Sequence, residues 1–231
     1  MQNSRHTDTA KQPGRLPLWI MPPSKPPRPA GRYRLALAHA RDTLLVVPEG
    51  LQPDKPVPLL VMFHGAKENA AKALPFLADY ASQHRFLLLL PQSTRATWDI
   101  CMGGYGPDLL RLEKALHRVF DHFAVDPKHV ALAGFSDGGS YALSVGLANG
   151  DRVSHIIVFS GGFIARHKKT DIPPVFLSHS PEDERLDIDA TGNRLHRELL
   201  ALGADVDFHT FSGGHVIHPG IVKKAMAFFM Q

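Results

Sequence analysis

Short runs of apolar residues recur along the chain, separated by segments in which apolar residues stand three or four positions apart. Five of these runs are apolar almost without interruption, which is typical of strands buried on both faces of a parallel sheet. They are Val57 to Phe63, Phe86 to Leu90, Val130 to Phe135, Ile156 to Phe159 and Val175 to Leu177. Tyr33 to Ala38 and Thr43 to Val47 predict a short antiparallel pair before them, and Val206 to Phe211 alternates as an edge strand does.

The segments between these runs carry helical patterns. Six apolar residues between Leu109 and Phe123 recur at spacings of three and four. A second helix is predicted around Leu195 to Leu202, closed by Gly203, and a third over Ile221 to Phe229. This alternation predicts an α/β fold, with a mostly parallel sheet of eight strands and helices on both faces.

Residues 1–30 differ from the rest of the chain, because seven prolines fall between Pro13 and Pro29. Proline fixes φ and lacks a backbone donor, so neither a helix nor a sheet ladder is expected there. We predict an extended or disordered tail over residues 1–30 and one folded domain over residues 31–231. The sequence leaves open whether Trp19 and Ile20 pack on that domain.

Composition narrows the class of protein. The chain has 231 residues, 44% hydrophobic and 21% charged, which fits one globular domain, and no apolar run approaches the length of a membrane span. The formal charge is +4, but the basic residues are scattered, so neither nucleic acid nor a membrane is an expected partner. With Cys101 alone and no signal-peptide pattern, a cytoplasmic protein is expected, whereas the oligomeric state stays open.

The strongest chemical signal is a G-x-S-x-G segment at residues 134–138, placed where an apolar run ends and small residues begin a helix. A serine raised on a sharp strand-to-helix turn needs neighbours without side chains, because strand and helix crowd together there. The motif alone is weak, but this setting predicts Ser136 as a nucleophile. Cys101 has no neighbouring base in the sequence, and an idle thiol is expected there.

A serine hydroxyl becomes reactive when a base removes its proton and a third group orients that base. His215 follows the last predicted strand through a flexible Ser-Gly-Gly segment and is favoured as the base over its rival His218. The acid is expected in the loop after Val175 to Leu177, where residues 182–184 are three adjacent carboxylates. The residues alone do not choose among them. No third metal ligand accompanies the two histidines, so neither a metal nor a cofactor is expected.

Acyl transfer also needs N–H donors for the developing oxyanion. The expected donors are the backbone N–H groups of Asp137, directly after the nucleophile, and Ala66, in the loop after the third predicted strand. His64 is expected to brace that loop. Trp98 and Tyr105 follow the fourth strand, at the end of the sheet where ligands collect, and we hypothesise that they wall the substrate pocket. Ordinary core packing is the alternative for both.

From about Arg41 to the C-terminus, the chain resembles the bacterial phospholipase/carboxylesterase-like serine esterases of the α/β-hydrolase superfamily. The marks of this resemblance are LLVMFHGA (59–66), GGYGPD (103–108), GFSDGGSYALS (134–144), LSHSPEDERL (177–186) and FSGGH (211–215). The resemblance implies an α/β-hydrolase fold with Ser136 as nucleophile and His215 as base. It implies Asp183 as the acid, because the acid loop of the family looks like H-G-x-x-D.

Two departures from the family pattern affect the predicted site. Ser180 stands where the acid loop usually has glycine, so the turn before Asp183 is expected to differ. Residues 67–69 read Lys-Glu-Asn where glycines usually continue the oxyanion loop, which puts a charge pair near the predicted entrance.

These features predict a serine carboxylesterase-type hydrolase that cleaves esters through an acyl-enzyme. Only about a dozen residues, Gly161 to Pro173, join the sixth and seventh predicted strands, so no large lid is expected and the substrate is expected to be a small soluble ester. A thioesterase or an oligopeptidase would use the same triad. A non-catalytic, ligand-binding relative of the fold is the alternative from another class.

Overall fold

A computed structural model describes residues 13–17, 20–38, 41–52, 55–165 and 171–231. Within these ranges, eight strands form one sheet in the order β1-β2-β4-β3-β5-β6-β7-β8. The strands are β1 (Gly31–Arg34), β2 (Leu44–Val47), β3 (Val57–Phe63), β4 (Leu87–Leu90), β5 (Val125–Phe135), β6 (His155–Phe159), β7 (Val175–His179) and β8 (Val206–Thr210). The pairs β1–β2 and β2–β4 are antiparallel and the other five are parallel, which confirms the mostly parallel eight-stranded sheet.

Helices cover both faces of this sheet. They are α1 (Ala70–His84), α2 (Pro107–Phe120), α3 (Asp137–Ala148), α4 (Gly192–Leu202) and α5 (Pro219–Phe229), with a short 3₁₀ turn at Asp99–Met102. Alternate residues of β3 belong to two cores: Val61 belongs to the core that includes residues of α2, α3 and α4, whereas Met62 belongs to the core that includes residues of α1 and α5. In the part of the chain that is described, no helix is both long and apolar enough to cross a membrane.

The prediction for β1 was wrong in its extent, because the strand ends at Arg34 and does not continue to Ala38. The Asp42 carboxylate accepts hydrogen bonds from the backbone N–H groups of Ala36 (2.6 Å) and Leu37 (3.0 Å). Ala36 also has a φ of 53°. An aspartate that binds nearby backbone N–H groups favours a turn over a strand.

The central strand β5 begins earlier than its apolar pattern predicts. Its first residues include Pro127, and the register against β3 shifts between Val57 and Leu59. Proline cannot donate to the sheet ladder, so it is tolerated only at such an irregular position. The regular pairing resumes at Leu59 and Val130 and continues to Phe63 and Gly134.

Residues 14–16 of the proline-rich segment contact the chain just after the C-terminus of α3. Leu16 is 3% exposed, and its N–H donates to Asn149 Oδ1 (2.8 Å). Arg15 forms an ion pair with Asp151. Residues 1–12 and Trp19 lie outside the described residues, and the division into a tail and one domain stays a prediction.

The carboxyl ends of the parallel strands meet at one edge of the sheet, as the topology requires. The loop that begins with His64 follows β3, and Ser136 follows β5 directly. Asp183 lies in the loop after β7, and His215 in the loop after β8. The fold therefore gathers the predicted chemical groups from distant parts of the chain.

Candidate active site

Ser136 is the one residue between β5 and α3, and it lies in a strained conformation with φ 56° and ψ −122°. Such a backbone persists only where its surroundings fix it. Its N–H donates to the carbonyl of Phe159 (2.9 Å), and its own carbonyl accepts from the N–H of Ser140 (3.0 Å). We call residues 134–138 the nucleophile elbow.

The glycines of this elbow lie where no side chain fits. A Cβ at Gly134 would be 2.0 Å from the carbonyl oxygen of Gly138, and a Cβ at Gly138 would be 2.3 Å from that of Phe63. Both obstacles are backbone atoms of packed elements, which cannot turn aside as a side chain does. The spacing of the G-x-S-x-G motif thus has a direct steric cause here.

The imidazole of His215 lies between Ser136 and Asp183. Its Nε2 is 2.9 Å from Ser136 Oγ, and its Nδ1 is 2.6 Å from Asp183 Oδ2. A carboxylate only accepts, so Nδ1 carries the proton and Nε2 is left to accept from the hydroxyl. The rival histidine, His218, instead caps α5, where its Nδ1 accepts from the N–H of Gly220 (3.1 Å).

Asp183 is 8% exposed and is held as an anion by several donors. Burial raises the pKa of this carboxyl, but hydrogen bonds from His215 and from the N–H groups of Leu186 (2.8 Å) and Arg185 (2.9 Å) bring its pKa below the ordinary value. An ionised acid at this position fixes the tautomer of His215 and offsets the charge of an imidazolium.

His179, at the end of β7, supports the acid from inside the protein. Its Nε2 is 2.8 Å from the carbonyl oxygen of Leu186 and 3.3 Å from Asp183 Oδ2. Both neighbours accept, so Nε2 carries the proton. In the sequence analysis, the H-G-x-x-D pattern, whose first position is His179, served only to locate Asp183. The contact between the two side chains was missed, although the H-x-x-x-D spacing signals it.

The carboxylates on either side of Asp183 contact the loop that carries His215. We call residues 180–186 the acid loop and residues 211–216 the histidine loop. Glu182 accepts from Ser212 Oγ (3.0 Å) and from the N–H of Gly213 (2.8 Å). Glu184 accepts from the N–H of His215 itself (3.0 Å). Of these three carboxylates, only that of Asp183 forms a hydrogen bond with the imidazole ring of His215.

The two predicted oxyanion donors lie at the edge where Ser136 emerges. Asp137 is the first residue of α3, where backbone N–H groups have no partner within the helix. Among the described residues, the structure gives neither its N–H nor that of Ala66 an acceptor. The oxyanion role of these groups stays a prediction.

The loop after β3 is held by the residues that depart from the family pattern. Glu68 accepts from the N–H of Gly65 (3.1 Å) through its carboxylate. Lys67 has a φ of 60°, and its N–H donates to the carbonyl of Ala96 (2.6 Å). Beside Ala66, Glu68 thus adds a side-chain contact that a glycine cannot make, whereas Lys67 contributes through its backbone N–H in a conformation that glycine adopts more readily.

His64 braces the same loop from the core, as expected. Its Nε2 accepts from the N–H of Ser93 (3.2 Å), so its Nδ1 carries the proton and donates to the carbonyl of Gly65 (2.8 Å). Burial lowers the pKa of His64 to about 4, which keeps the ring neutral at neutral pH. A ring with both nitrogens engaged does not serve as a second base.

Trp98 is buried in the core, and Tyr105 is half-buried against it. Trp98 is 1% exposed and donates from its indole N–H to the carbonyl of His64 (2.8 Å). The ring of Tyr105 lies so close to Gly14 that a Cβ there would be 2.6 Å from its Cζ. Their role as pocket walls stays a prediction. Burial raises the pKa of the nearby Cys101 thiol to about 12, in line with an idle, protonated thiol.

Comparison with known proteins identifies one family and many similar folds. A family model described as Phospholipase/Carboxylesterase matches residues 109–231. None of the curated proteins matches the chain.

Three solved structures illustrate the similarity. Esterase PE8 has a TM-score of 0.65 and 21% identity over 80% of this chain and 96% of its own. An S-formylglutathione hydrolase from Staphylococcus aureus has a TM-score of 0.69 and 14% identity, covering 90% of this chain and 100% of its own. A phospholipase/carboxylesterase from Dyadobacter fermentans has a TM-score of 0.61 and 20% identity, covering 84% and 98%. At such identities the likeness concerns the fold.

Proposed function

The chain belongs to the phospholipase/carboxylesterase family, and on this premise we propose that it is a serine carboxylesterase-type hydrolase. Its substrates are carboxylic esters of small, soluble compounds, and the reaction passes through an acyl-enzyme. One observation carries the proposal: Ser136 Oγ, the ring of His215 and the carboxylate of Asp183 form a continuous chain of hydrogen bonds of 2.9 and 2.6 Å.

The first half of the reaction forms the acyl-enzyme. His215 Nε2 accepts the hydroxyl proton as Ser136 Oγ attacks the ester carbonyl, while Asp183 offsets the charge on the imidazolium. The N–H groups of Ala66 and Asp137 donate to the oxyanion, which is usually the largest contribution to such catalysis. His215 then gives its proton to the departing alcohol.

Water completes the cycle by the same route in reverse. His215 removes a proton from the attacking water, a second tetrahedral intermediate forms, and the carboxylic acid leaves as Ser136 regains its proton. The strained backbone of Ser136 holds Oγ in one place through both steps, so little reorganisation is needed when charge develops.

The loop after β6 supports the proposal of a small substrate. Ser140 Oγ accepts from the N–H of Gly162 (2.9 Å), and Ser144 Oγ accepts from that of Ala165 (2.8 Å), so this part of the chain is fixed along α3. Arg194 donates to the carbonyl of Gly162 (2.7 Å). Residues 166–170 lie outside the described residues, and few positions remain for a covering lid.

Labelling with a fluorophosphonate probe tests the proposal. The wild-type protein is expected to label and Ser136→Ala to remain unlabelled, since the probe reacts with an activated serine. A wild-type protein that does not label would instead favour the non-catalytic, ligand-binding alternative.

A substrate series tests the chemical class. Hydrolysis of p-nitrophenyl acetate is expected to be much faster than that of emulsified p-nitrophenyl palmitate. The reverse order would overturn the preference for small soluble esters. Faster turnover of a matched thioester or a short peptide would assign the same triad to a thioesterase or an oligopeptidase.

A further inference from the structure

We infer that Glu182 and Glu184 are positioning residues that hold the histidine loop against the acid loop, and so keep the ring of His215 between Asp183 and Ser136. This inference rests on the proposed function, since it assigns a task to residues around the same base. Neither carboxylate reaches the reacting atoms, and each would act through His215.

Glu182 joins the two loops through both of its carboxylate oxygens. Oε1 accepts from Ser212 Oγ (3.0 Å), and Oε2 accepts from the N–H of Gly213 (2.8 Å). Hydrogen bonds to a charged acceptor are the stronger ones, and these two lie within three residues of the base.

Ser180 fixes the direction of the Glu182 side chain. Its hydroxyl donates to Glu182 Oε2 (3.0 Å) and accepts from the N–H of Glu182 (3.1 Å). Ser180 is fully buried, whereas Glu182 is exposed. Ser180 replaces the usual glycine of the family. Its buried hydroxyl orients the exposed carboxylate of Glu182 through hydrogen bonds that a glycine does not provide.

Glu184 holds the same loop from the other side of Asp183. Its Oε2 accepts from the N–H of His215 (3.0 Å) and lies 3.1 Å from the position that a Cβ would take on Gly214. All three adjacent carboxylates therefore contact the histidine loop. Asp183 binds the ring of His215, Glu184 binds the backbone N–H of His215, and Glu182 binds Ser212 and Gly213.

The histidine loop needs such external contacts because its own sequence gives it little order. Gly213 and Gly214 have φ values of 134° and 54°, and glycine loses more conformational freedom on folding than any other residue. Asp183 orients the ring, but the ring reaches Ser136 only if the backbone of His215 stays in place. A misplacement of about 1 Å near a reacting group costs up to roughly 10²-fold in rate.

The direction of the Glu182 pKa agrees with this role. Hydrogen bonds from Gly213, Ser212 and Ser180 lower the pKa of the Glu182 carboxyl. The Glu182 carboxylate is therefore ionised at neutral pH, as its role as an acceptor of these hydrogen bonds requires.

Single and double variants measure the effect of these contacts on catalysis. We expect Glu182→Ala and Glu184→Ala each to lower kcat for p-nitrophenyl acetate by about 3- to 10-fold, and the double variant by more than about 10-fold, with KM changed less than about twofold. Glu182→Gln keeps one acceptor oxygen and is expected to recover part of the loss. Glu49→Ala, which removes an exposed carboxylate far from these loops, is the matched control.

Hydrogen exchange gives a readout that does not depend on activity. Amide exchange in a peptide covering residues 211–216 is expected to become several-fold faster in Glu182→Ala than in the wild type or Glu49→Ala, while exchange in β5 stays the same. Unchanged exchange together with a kcat equal to that of Glu49→Ala would overturn the inference.

Fluorophosphonate labelling of the wild type separates the two levels of the argument. If the protein labels at Ser136 and the variants behave like Glu49→Ala, the proposed function stands and the positioning role falls. If the protein does not label, the proposed function fails, and the exchange rates alone decide whether the carboxylates hold the loop.

Discussion

The nucleophile elbow and the histidine loop meet at a hydrogen bond between Ser136 Oγ and His215 Nε2 and at a ring contact between Phe135 and His215 (4.8 Å between centroids). They are nevertheless held by different forces. The elbow lies between a central strand and a buried helix, and backbone bonds and the absence of side chains at two glycines fix it. The histidine loop has no regular structure, and carboxylates of the acid loop hold it. Steric fit holds Ser136 in place, whereas exposed carboxylates hold the loop of His215 in place.

This contrast predicts that the two regions tolerate different changes. A steric fit does not titrate and is insensitive to salt, but it fails abruptly when one methyl group is added. Contacts between exposed carboxylates and a loop fail gradually, because water screens them and replaces them in part.

The largest effect is expected for Gly138→Ala in the elbow. The added Cβ would lie 2.3 Å from the carbonyl oxygen of Phe63 in a central strand, so the strand or α3 has to move. We expect a loss of at least about 3 kcal/mol in the free energy of unfolding, or no soluble folded protein. Urea unfolding monitored by tryptophan fluorescence measures it.

Gly162→Ala is the control for this experiment. Its Cβ would find its nearest neighbour, Ser140 Oγ, at 3.6 Å, which is an ordinary contact. We expect a change below about 1 kcal/mol there. Equal losses of stability in Gly138→Ala and Gly162→Ala would show that the elbow is packed no more tightly than the loop after β6. Steric fit would then not be what distinguishes the elbow from the histidine loop.

The positions of Ser136 and His215 after strands explain why the sequence predicted both. Ser136 directly follows an apolar run, with Gly134 and Gly138 where no side chain fits, and His215 follows the alternating edge strand through Gly213 and Gly214, whose φ values are positive. Asp183 was singled out only by the resemblance, because consecutive carboxylates differ in direction through the turn that joins them. That turn is set by a bond between the N–H of Asp183 and the carbonyl of Ser180 (3.2 Å), which has no signal in hydrophobic periodicity.

Other parts of the fold were not predicted, for similar reasons. The helix α1 buries an alanine-rich face and contains Pro75, so it lacks the strong apolar stripe that marks α2. The contacts of Glu182 and Glu184 join segments about 30 residues apart, and a charged stretch of this kind looks like an ordinary solvated loop. Only tertiary structure brings those partners together.

An effect of intermediate size is expected for the pH dependence of stability, through His64 in the loop after β3. The unfolded chain protonates a histidine near its ordinary pKa of 6.5, whereas folded His64 stays neutral until about pH 4. Between these values the unfolded state binds more protons, so stability falls as the pH falls. A pKa difference of one between the folded and unfolded states corresponds to about 1.4 kcal/mol. His64 therefore accounts for a loss of about 3 kcal/mol in the free energy of unfolding between neutral pH and pH 4.

The measurement compares the wild type with His64→Gln by urea unfolding at pH 7.5, 6, 5 and 4. The variant is expected to be less stable at pH 7.5, since it loses the bonds to Ser93 and Gly65, but its stability should change less as the pH falls. All other titrating groups act equally in both proteins. Parallel curves would mean that His64 does not carry this dependence.

The smallest effect is expected for Ser180→Gly in the acid loop. This variant tests whether the hydrogen bonds of Ser180 position Glu182 against the histidine loop. The change removes two hydrogen bonds to Glu182, of 3.0 and 3.1 Å, and leaves the bonds from Glu182 to the histidine loop possible but less ordered. We expect a loss of about 1 kcal/mol in the free energy of unfolding, and a loss in kcat smaller than that of Glu182→Ala.

Ser180→Ala, which removes the same hydroxyl without freeing the backbone, should reproduce most of the loss in kcat. If Ser180→Ala keeps the full wild-type kcat while Ser180→Gly does not, backbone order in the acid loop, and not the hydroxyl, holds Glu182 in place.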